Sequence, residues 1–518
     1  MLRMLPNLPR LLMAALLLLL GIAQPTLAGV FCVNTAVGLQ NSLILAAANG
    51  QDDEVRIVQG TYVGNFVYAS TEAQALSVLG GYETGCSTRM LDPTNTILDG
   101  NQTGLVLNLS AGTLAANFRI EGLTIRNGQG GLFAGNSSGG EVTVENNHIR
   151  DNTAGSNDGG GVLLWATTAT LINNDISGNY TGFHGGGGAL WVTTATLTNN
   201  NISGNTGNQG GGLYLGTTTA TLTNNTLQGN AAELGGGAFL TATTAALINN
   251  HISGNTAGGG VFLWATTATL TNNDISGNTT AGQYGGGVSL TAATATLTNN
   301  TLEGNIAAQG GGISVSFRGS ASESWVAFYN NIFWQNQATW NSGADFYIQN
   351  TLASQVKLFA NNFDWTPTTG YWVGTPVYLD ASNLDKVAPL FVDQSNGDLH
   401  LMPASPMIDA GYPATPDLPA TDRAGGLRVV NGIVDIGAYE YHKYESCDVG
   451  PLVFSAETFD AGGDHHLSEV SIATEGSVEI LSEADVVLRA PFLNFGPGFR
   501  IETGAQFMAL AGPVSCNQ

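Results

Sequence analysis

Between about residues 140 and 365 the chain alternates apolar and polar positions in short runs, and the runs recur. Leu164, Leu190, Leu215, Leu240, Leu263 and Leu290 form one apolar series, each shortly after a run of glycines. Further along each repeat stands an Asn pair whose first member is Asn146, Asn173, Asn199, Asn224, Asn249, Asn272, Asn299, Asn330 or Asn361. The steps are 27, 26, 25, 25, 23, 27, 31 and 31 residues. Period two inside each run sends alternate side chains to opposite faces. Gly, Thr and Asn dominate the runs and are poor helix formers. Thin strands separated by Gly and Asn turns, at this repeat length, predict an all-β chain with a parallel β-helix over about residues 55–365.

In such a solenoid equal positions stack about 4.8 Å apart. Asn suits a stacked column because its amide both donates and accepts. The first Asn of each pair is expected to stack inside a turn, and the second to take a left-handed bend. The glycine runs serve a second bend that excludes a Cβ. Like charges in register would repel, and only six charged side chains, none of them Lys or Arg, lie between Asp151 and Asn305.

With the Leu series inward, the flanking residues point outward. One outward column reads Leu163, Ala189, Tyr214, Phe239, Phe262, Ser289, and the next reads Trp165, Trp191, Gly216, Thr241, Trp264, Thr291. Six aromatics, Trp165, Trp191, Tyr214, Phe239, Phe262 and Trp264, thus share an outer face and are the candidate ligand-binding residues. Exposed aromatic surface marks a partner, and flat rings beside Thr hydroxyls suit a neutral or weakly charged glycan. The competing reading is rings that stack on one another or lie under the "NYTGFHGGGG" bend. If the rings bind, replacing Phe239 and Trp264 by Ala should weaken binding and leave stability nearly unchanged.

Catalytic chemistry has less support. Lyases and glycosidases need clustered carboxylates, usually with a basic partner, and no Lys or Arg lies between Arg150 and Arg318. The column after each Asn pair reads His148, Asp175, Asn201, Thr226, His251, Asp274, Thr301. His148 with Asp175, and His251 with Asp274, are weak base or metal sites, or simply a polar outward column. Two ligands are too few for a tight metal site. "NGDLH" (396–400) and "GGDHH" (462–466) read as turns. Asp409, Asp417, Asp422 and Asp435 read as partners of buried backbone and of Arg423 or Arg428. No catalytic residue, metal ligand or cofactor is assigned.

The ends of the chain add the compartment. Arg3 and Arg10 precede an apolar run, Leu11–Ala23, and Ala28 closes it, as in a cleavable signal peptide over residues 1–28. Cleavage would leave 13 basic against 39 acidic residues. That surface repels nucleic acid and anionic lipid; calcium is the one cation it invites, without a motif for it. No later segment is apolar and long enough to cross a bilayer. The expected location is secreted or at the cell surface, where the four cysteines should pair as Cys32–Cys86 and Cys447–Cys516.

Several motifs carry a family resemblance. The coils resemble right-handed parallel β-helix repeats of exported bacterial proteins, with a pectate-lyase-like fold. "GGAL" ending at Leu190, "GGAF" ending at Phe239 and "FWQN" at 333–336 are similar to repeats of polymorphic outer-membrane proteins, although most coils carry Ile or Leu in place of that Phe. "DDEVRIVQGTYVGNF" and "SVLGGYETGCSTRMLDPTNTILDG" resemble the first coils of such proteins, and "AVGLQNSLILAAAN" looks like the helix that caps the open end. "APLFVDQSNGDLHLMPASPMIDAG", "TDRAGGLR" and "VDIGAYEY" resemble the end of the choice-of-anchor Q group. "SVEILSEADVVLRAPFLNFGPGFRIETGAQFMALAG" resembles a three-coathanger stack module. The implied organisation is a signal peptide at 1–28, an N-terminal cap at 29–54, the β-helix with its closing segment at 55–441, and a small β module at 445–518. The implied role is adhesion or carbohydrate binding without catalysis, with a polysaccharide or cell-surface glycan as partner. A polysaccharide lyase or glycoside hydrolase using the same face, or a structural matrix protein, are the alternatives.

Overall fold

The computed structural model describes residues 29–442 except short segments at 113, 137–138, 283, 319–323, 341–342, 350–354, 365, 367–370, 374–376 and 431, together with the backbone of strands between 444 and 511. The expected signal segment lies outside the described residues. The chain is a right-handed parallel β-helix. A representative coil runs through Val162–Ile172, bends at Thr167, and continues through an Asn turn into Asp175–Ser177. The first half of the long strand, its second half and the short strand define first, second and third faces. The next coil repeats them in register, Leu164 against Leu190 and Ile176 against Ile202. Among the described residues the third face is a sheet of 13 strands. All six residues of the Leu series are buried, so the inward phase is as read.

The Asn assignment is reversed. The first Asn of each pair, from Asn146 to Asn330, holds the left-handed bend with φ of 52–57°. The second stacks inside: from Asn147 to Asn331 each Nδ2 donates to the Oδ1 of the next coil at 2.8–3.1 Å. The inward position is the one that faces orphaned strand carbonyls, such as Leu197 O, which accepts from Asn225 Nδ2 at 2.9 Å. In the last of these coils the pair slips by one: Ala360 takes the bend and Asn361 joins the ladder. A second ladder runs from Asn152 to Asn336, five residues after each inward Asn and in its six middle coils the Asn of a "GN", and ends on Asp345. Burial pushes the Asp345 carboxyl up to about 6.

Strand Gly29–Val33 already pairs with Asp53–Val58, and helix Ala36–Ala46 sits between them in sequence. Thr35 caps the helix through Gly38 N at 3.0 Å. Leu39 and Leu43 plug the open core, and Gln40 exchanges two 2.9 Å hydrogen bonds with the backbone of Val67. Cys32 is bonded to Cys86, with Cα atoms 5.7 Å apart. Cys516 and the Cys447 side chain lie outside the described residues. The strands after Tyr444 pair in parallel in three stacks, of which one is Tyr444–Asp448, Gly462–Ser468, Ala484–Ala490 and Gln506–Ala511. Gly462–His466 is therefore strand, where its glycines and Asp had read as a turn.

Residues 389–442 run as a strap along the solenoid. Phe391, Leu399, Met407, Ile436 and Ala438 pack on Ile332 and Ala360. The bend residues hold it: Asn272 Nδ2 donates to Thr421 O at 2.7 Å, Asn299 Nδ2 to Asp435 O at 2.8 Å, and Asn330 Oδ1 accepts from Tyr412 N at 2.7 Å. Inside the strap Asp422 accepts from Gly426 N and Glu440 N, and Asp435 from Asp409 N and Tyr441 N. The carboxylate partner of Arg428 is Glu440, which the sequence had not singled out. Burial pushes Glu440 up to about 8 and Asp435 up to about 6, with Arg428 opposing both. Raised folded values mean stability that is complete below about pH 4 and is lost as pH rises through 6 and 8. Hydrogen exchange of the 420–441 backbone should therefore quicken between pH 5 and pH 9, after correction for intrinsic exchange; a flat profile would contradict the assignment.

Candidate ligand face

The first face carries the aromatic row. Leu163, Ala189, Tyr214, Phe239 and Phe262 are in register, as are Trp165, Trp191, Gly216, Thr241 and Trp264. Period two turns these residues outward because Leu164, Leu190 and their counterparts fill the inside. The rings are not equally open. Trp165 is 49% exposed and Trp264 44%, whereas Tyr214 and Phe239 are at 7% and 6%. Tyr214 stacks on Phe239 at 5.2 Å and Phe239 on Phe262 at 4.7 Å. The His184 ring, from the "NYTGFHGGGG" bend, lies 4.5 Å from Tyr214. That burial raises the pKa of the Tyr214 hydroxyl above its ordinary value. The expectation of unchanged stability therefore fits Trp264 and fails for Phe239, which is enclosed by its stacked neighbours.

Several participants were not legible in the period-two pattern. Asp158 Oδ1 pairs with His184 Nδ1 at 2.9 Å, and its Oδ2 accepts from Trp191 Nε1 at 3.2 Å. These bonds fix the Trp191 ring, which leans over Gly216: a Cβ there would sit 2.7 Å from the ring. Phe133 extends the row beyond Trp165, with centroids 6.4 Å apart. Arg318 covers Trp264 at 5.4 Å. Asp158, His184 and Arg318 come from bends, whose lengths vary, so no fixed spacing announced them.

The third face carries the His and Asp column in the predicted register. Its two pairs differ. Asp175 accepts from Asn201 Nδ2 at 3.3 Å, and no hydrogen bond joins it to His148. His251 Nδ1 lies 2.9 Å from Asp274 Oδ2, and His251 Nε2 lies 2.8 Å from Ser253 Oγ. Asp274 is buried beneath the strap, where Tyr439 Oη donates to the same Oδ2 at 3.2 Å. Among the described residues no three His, Cys, Asp or Glu side chains converge as a metal site, and no helix is long and apolar enough to cross a membrane.

The family model described as "Right handed beta helix region" matches residues 93–248 and again 186–353, together about half of the chain. No curated protein matches the sequence. Among solved structures, a PL6 family alginate lyase, AlyGC, is similar over 93% of this chain and 75% of that chain, at 12% identity and a TM-score of 0.34.

Proposed function

The chain belongs to the right-handed β-helix family, and from that premise we propose that it is a secreted or cell-surface protein that binds a neutral or weakly charged glycan through its first face, in adhesion. The observation that carries this reading is the pair of open indoles, Trp165 and Trp264, at the two ends of one outward column. Each coil rises about 4.8 Å, close to the length of one pyranose in an extended chain. The column therefore offers a platform commensurate with successive sugars, with Thr241 between the rings and Thr291 beyond Trp264. Export through residues 1–28, and a closing segment similar to the choice-of-anchor Q group followed by a coathanger-like module, complete the proposal. A lyase or hydrolase on this face is less favoured. Asp158 is the carboxylate that touches the rings, it is occupied by His184 and Trp191, and glycoside hydrolysis takes a pair of carboxylates.

The double variant Trp165→Ala/Trp264→Ala should lose about tenfold or more in glycan affinity, about 1 kcal/mol per ring, with the melting temperature unchanged. Phe239→Ala should behave differently and destabilise by about 2–3 kcal/mol. Glycan-array screening followed by calorimetry reads the first effect and thermal unfolding the second. A tryptophan double variant that binds as well as the parent protein would end the proposal.

A further inference from the structure

The third face holds a chain of hydrogen bonds that glycan binding does not use. Ser253 Oγ lies 2.8 Å from His251 Nε2, and His251 Nδ1 lies 2.9 Å from Asp274 Oδ2. His251 and Ser253 share one face of the short strand His251–Ser253 because Ile252 between them fills the core. Asp274 comes from the next coil, directly opposite His251. We propose that Ser253, His251 and Asp274 form a hydrolytic triad acting on carboxylic esters, with O-acyl groups of a hydroxylated polymer as the substrate class.

Each member has the environment its role needs. Ser253 and His251 are partly open to solvent, and Asp274 is buried. In this role Asp274 Oδ2 accepts a hydrogen bond from His251 Nδ1–H, which leaves Nε2 free to take the proton of Ser253 Oγ. Tyr439 Oη, donating to Asp274 Oδ2 at 3.2 Å, holds the carboxylate in place. Asp274 Oδ1 is buried with no hydrogen-bond partner, so the contacts on Oδ2 alone set the orientation of the carboxylate toward His251. Asp274 and Tyr439 are positioning residues; Ser253 and His251 are the catalytic ones.

In the reaction Ser253 Oγ bonds to the ester carbonyl carbon while its proton passes to His251 Nε2. Collapse of the tetrahedral intermediate breaks the acyl–oxygen bond, and the leaving alkoxide takes that proton. Water then attacks the acyl-serine, His251 again accepts and returns a proton, and the carboxylic acid leaves. Gly254 N is committed to Ser276 O at 3.0 Å. The oxyanion donor therefore comes from a side chain, Gln228, exposed and directly opposite Ser253 in the preceding coil. Without two preorganised backbone amides, turnover is slow. The strap walls the site on one side, with Tyr439 against His400 at 4.1 Å. On the other side the face continues through Thr226, Gln228, Asn201 and Ser203, short polar residues along which a polymer can lie.

The test uses the full chain and a fluorophosphonate, which bonds to a nucleophilic serine with loss of fluoride. Intact-mass analysis should show one adduct, and chymotryptic peptides should place it on Ser253. Ser253→Ala should abolish the adduct with the melting temperature unchanged. His251→Gln, which leaves the serine in place, should slow labelling about 100-fold. Acetate release from an O-acetylated polysaccharide should be lost in both variants. Absence of an adduct on the parent protein, an adduct that survives Ser253→Ala, or labelling indifferent to His251→Gln each overturns the proposal. None of these readouts depends on Trp165 or Trp264, so the glycan-binding reading stands or falls separately.

Discussion

Replacing Arg428 by Ala should cost about 3–5 kcal/mol and release the strap from the solenoid. Among the described residues Arg428 is the bulkiest fully buried side chain. Its Nη2 donates to Glu440 Oε2 at 2.8 Å and to Asp435 O at 3.1 Å, and its Nη1 to Gly437 O and Ala438 O, both at 3.1 Å. Those carbonyls belong to the same turn that Asn299 holds from the solenoid side. Truncation strands the Glu440 carboxyl group and several carbonyls away from water, and the stranded groups rather than the lost attraction set the cost. Adding Glu440→Gln to Arg428→Ala should recover little at neutral pH, because burial already keeps the Glu440 carboxyl protonated, and more above about pH 8. Equilibrium denaturation followed by exchange mapping of residues 389–442 checks both. A strap that stays protected in Arg428→Ala would show that its apolar contacts alone suffice.

The second large effect is expected inside the solenoid. Asn225→Ala should cost about 3–5 kcal/mol, whereas its neighbour Asn224→Ala should cost about 1 kcal/mol. Asn225 Nδ2 donates to Leu197 O and Asn250 Oδ1, and its Oδ1 accepts from Asn200 N and Asn200 Nδ2. Removing the amide leaves Leu197 O and Asn200 N buried without these partners. Asn224 is exposed and loses only its tolerance of φ 56°. Because each coil touches only its neighbours, the defect should also divide the array, broadening the unfolding transition into two. Equal costs at the two positions would refute the ladder assignment. Thermal and urea unfolding of the paired variants decides it.

The contrast between Asn224 and Asn225 also marks how far the pattern could be read. The repeat, the parallel solenoid, the inward Leu series and the two outward aromatic columns all follow from periods, and a period is a local property of the chain. A stacked fold turns each recurring position into a column, so register in sequence becomes register in space. Which Asn of the pair turned inward was misread because both occur in every repeat. Periodicity alone does not distinguish a bend residue from a ladder residue; the orphaned carbonyl that the inward one meets does. The second ladder was not legible, because a lone Asn beside the Gly of a turn has ordinary turn chemistry.

The sequence by itself determined the coil, the phase of the outer face and the Cys32–Cys86 link. Tertiary structure alone decided which outward rings stay open. Tyr214 and Phe239 occupy positions of the same phase as Phe262, yet stacking along the column and His184 from a bend enclose them. It also decided the fate of two identical-looking pairs. His148 with Asp175 and His251 with Asp274 read alike, but only Asp274 lies under the strap, bound by Tyr439 from 165 residues away. Ser253 stands two residues after His251, where Arg150 follows His148. The strap obeys no repeat, and the hydrogen bonds that its Tyr412 and Tyr439 donate to the solenoid join positions 82 and 165 residues apart. No periodic signal carries that information, because the chain meets itself there once rather than at every turn.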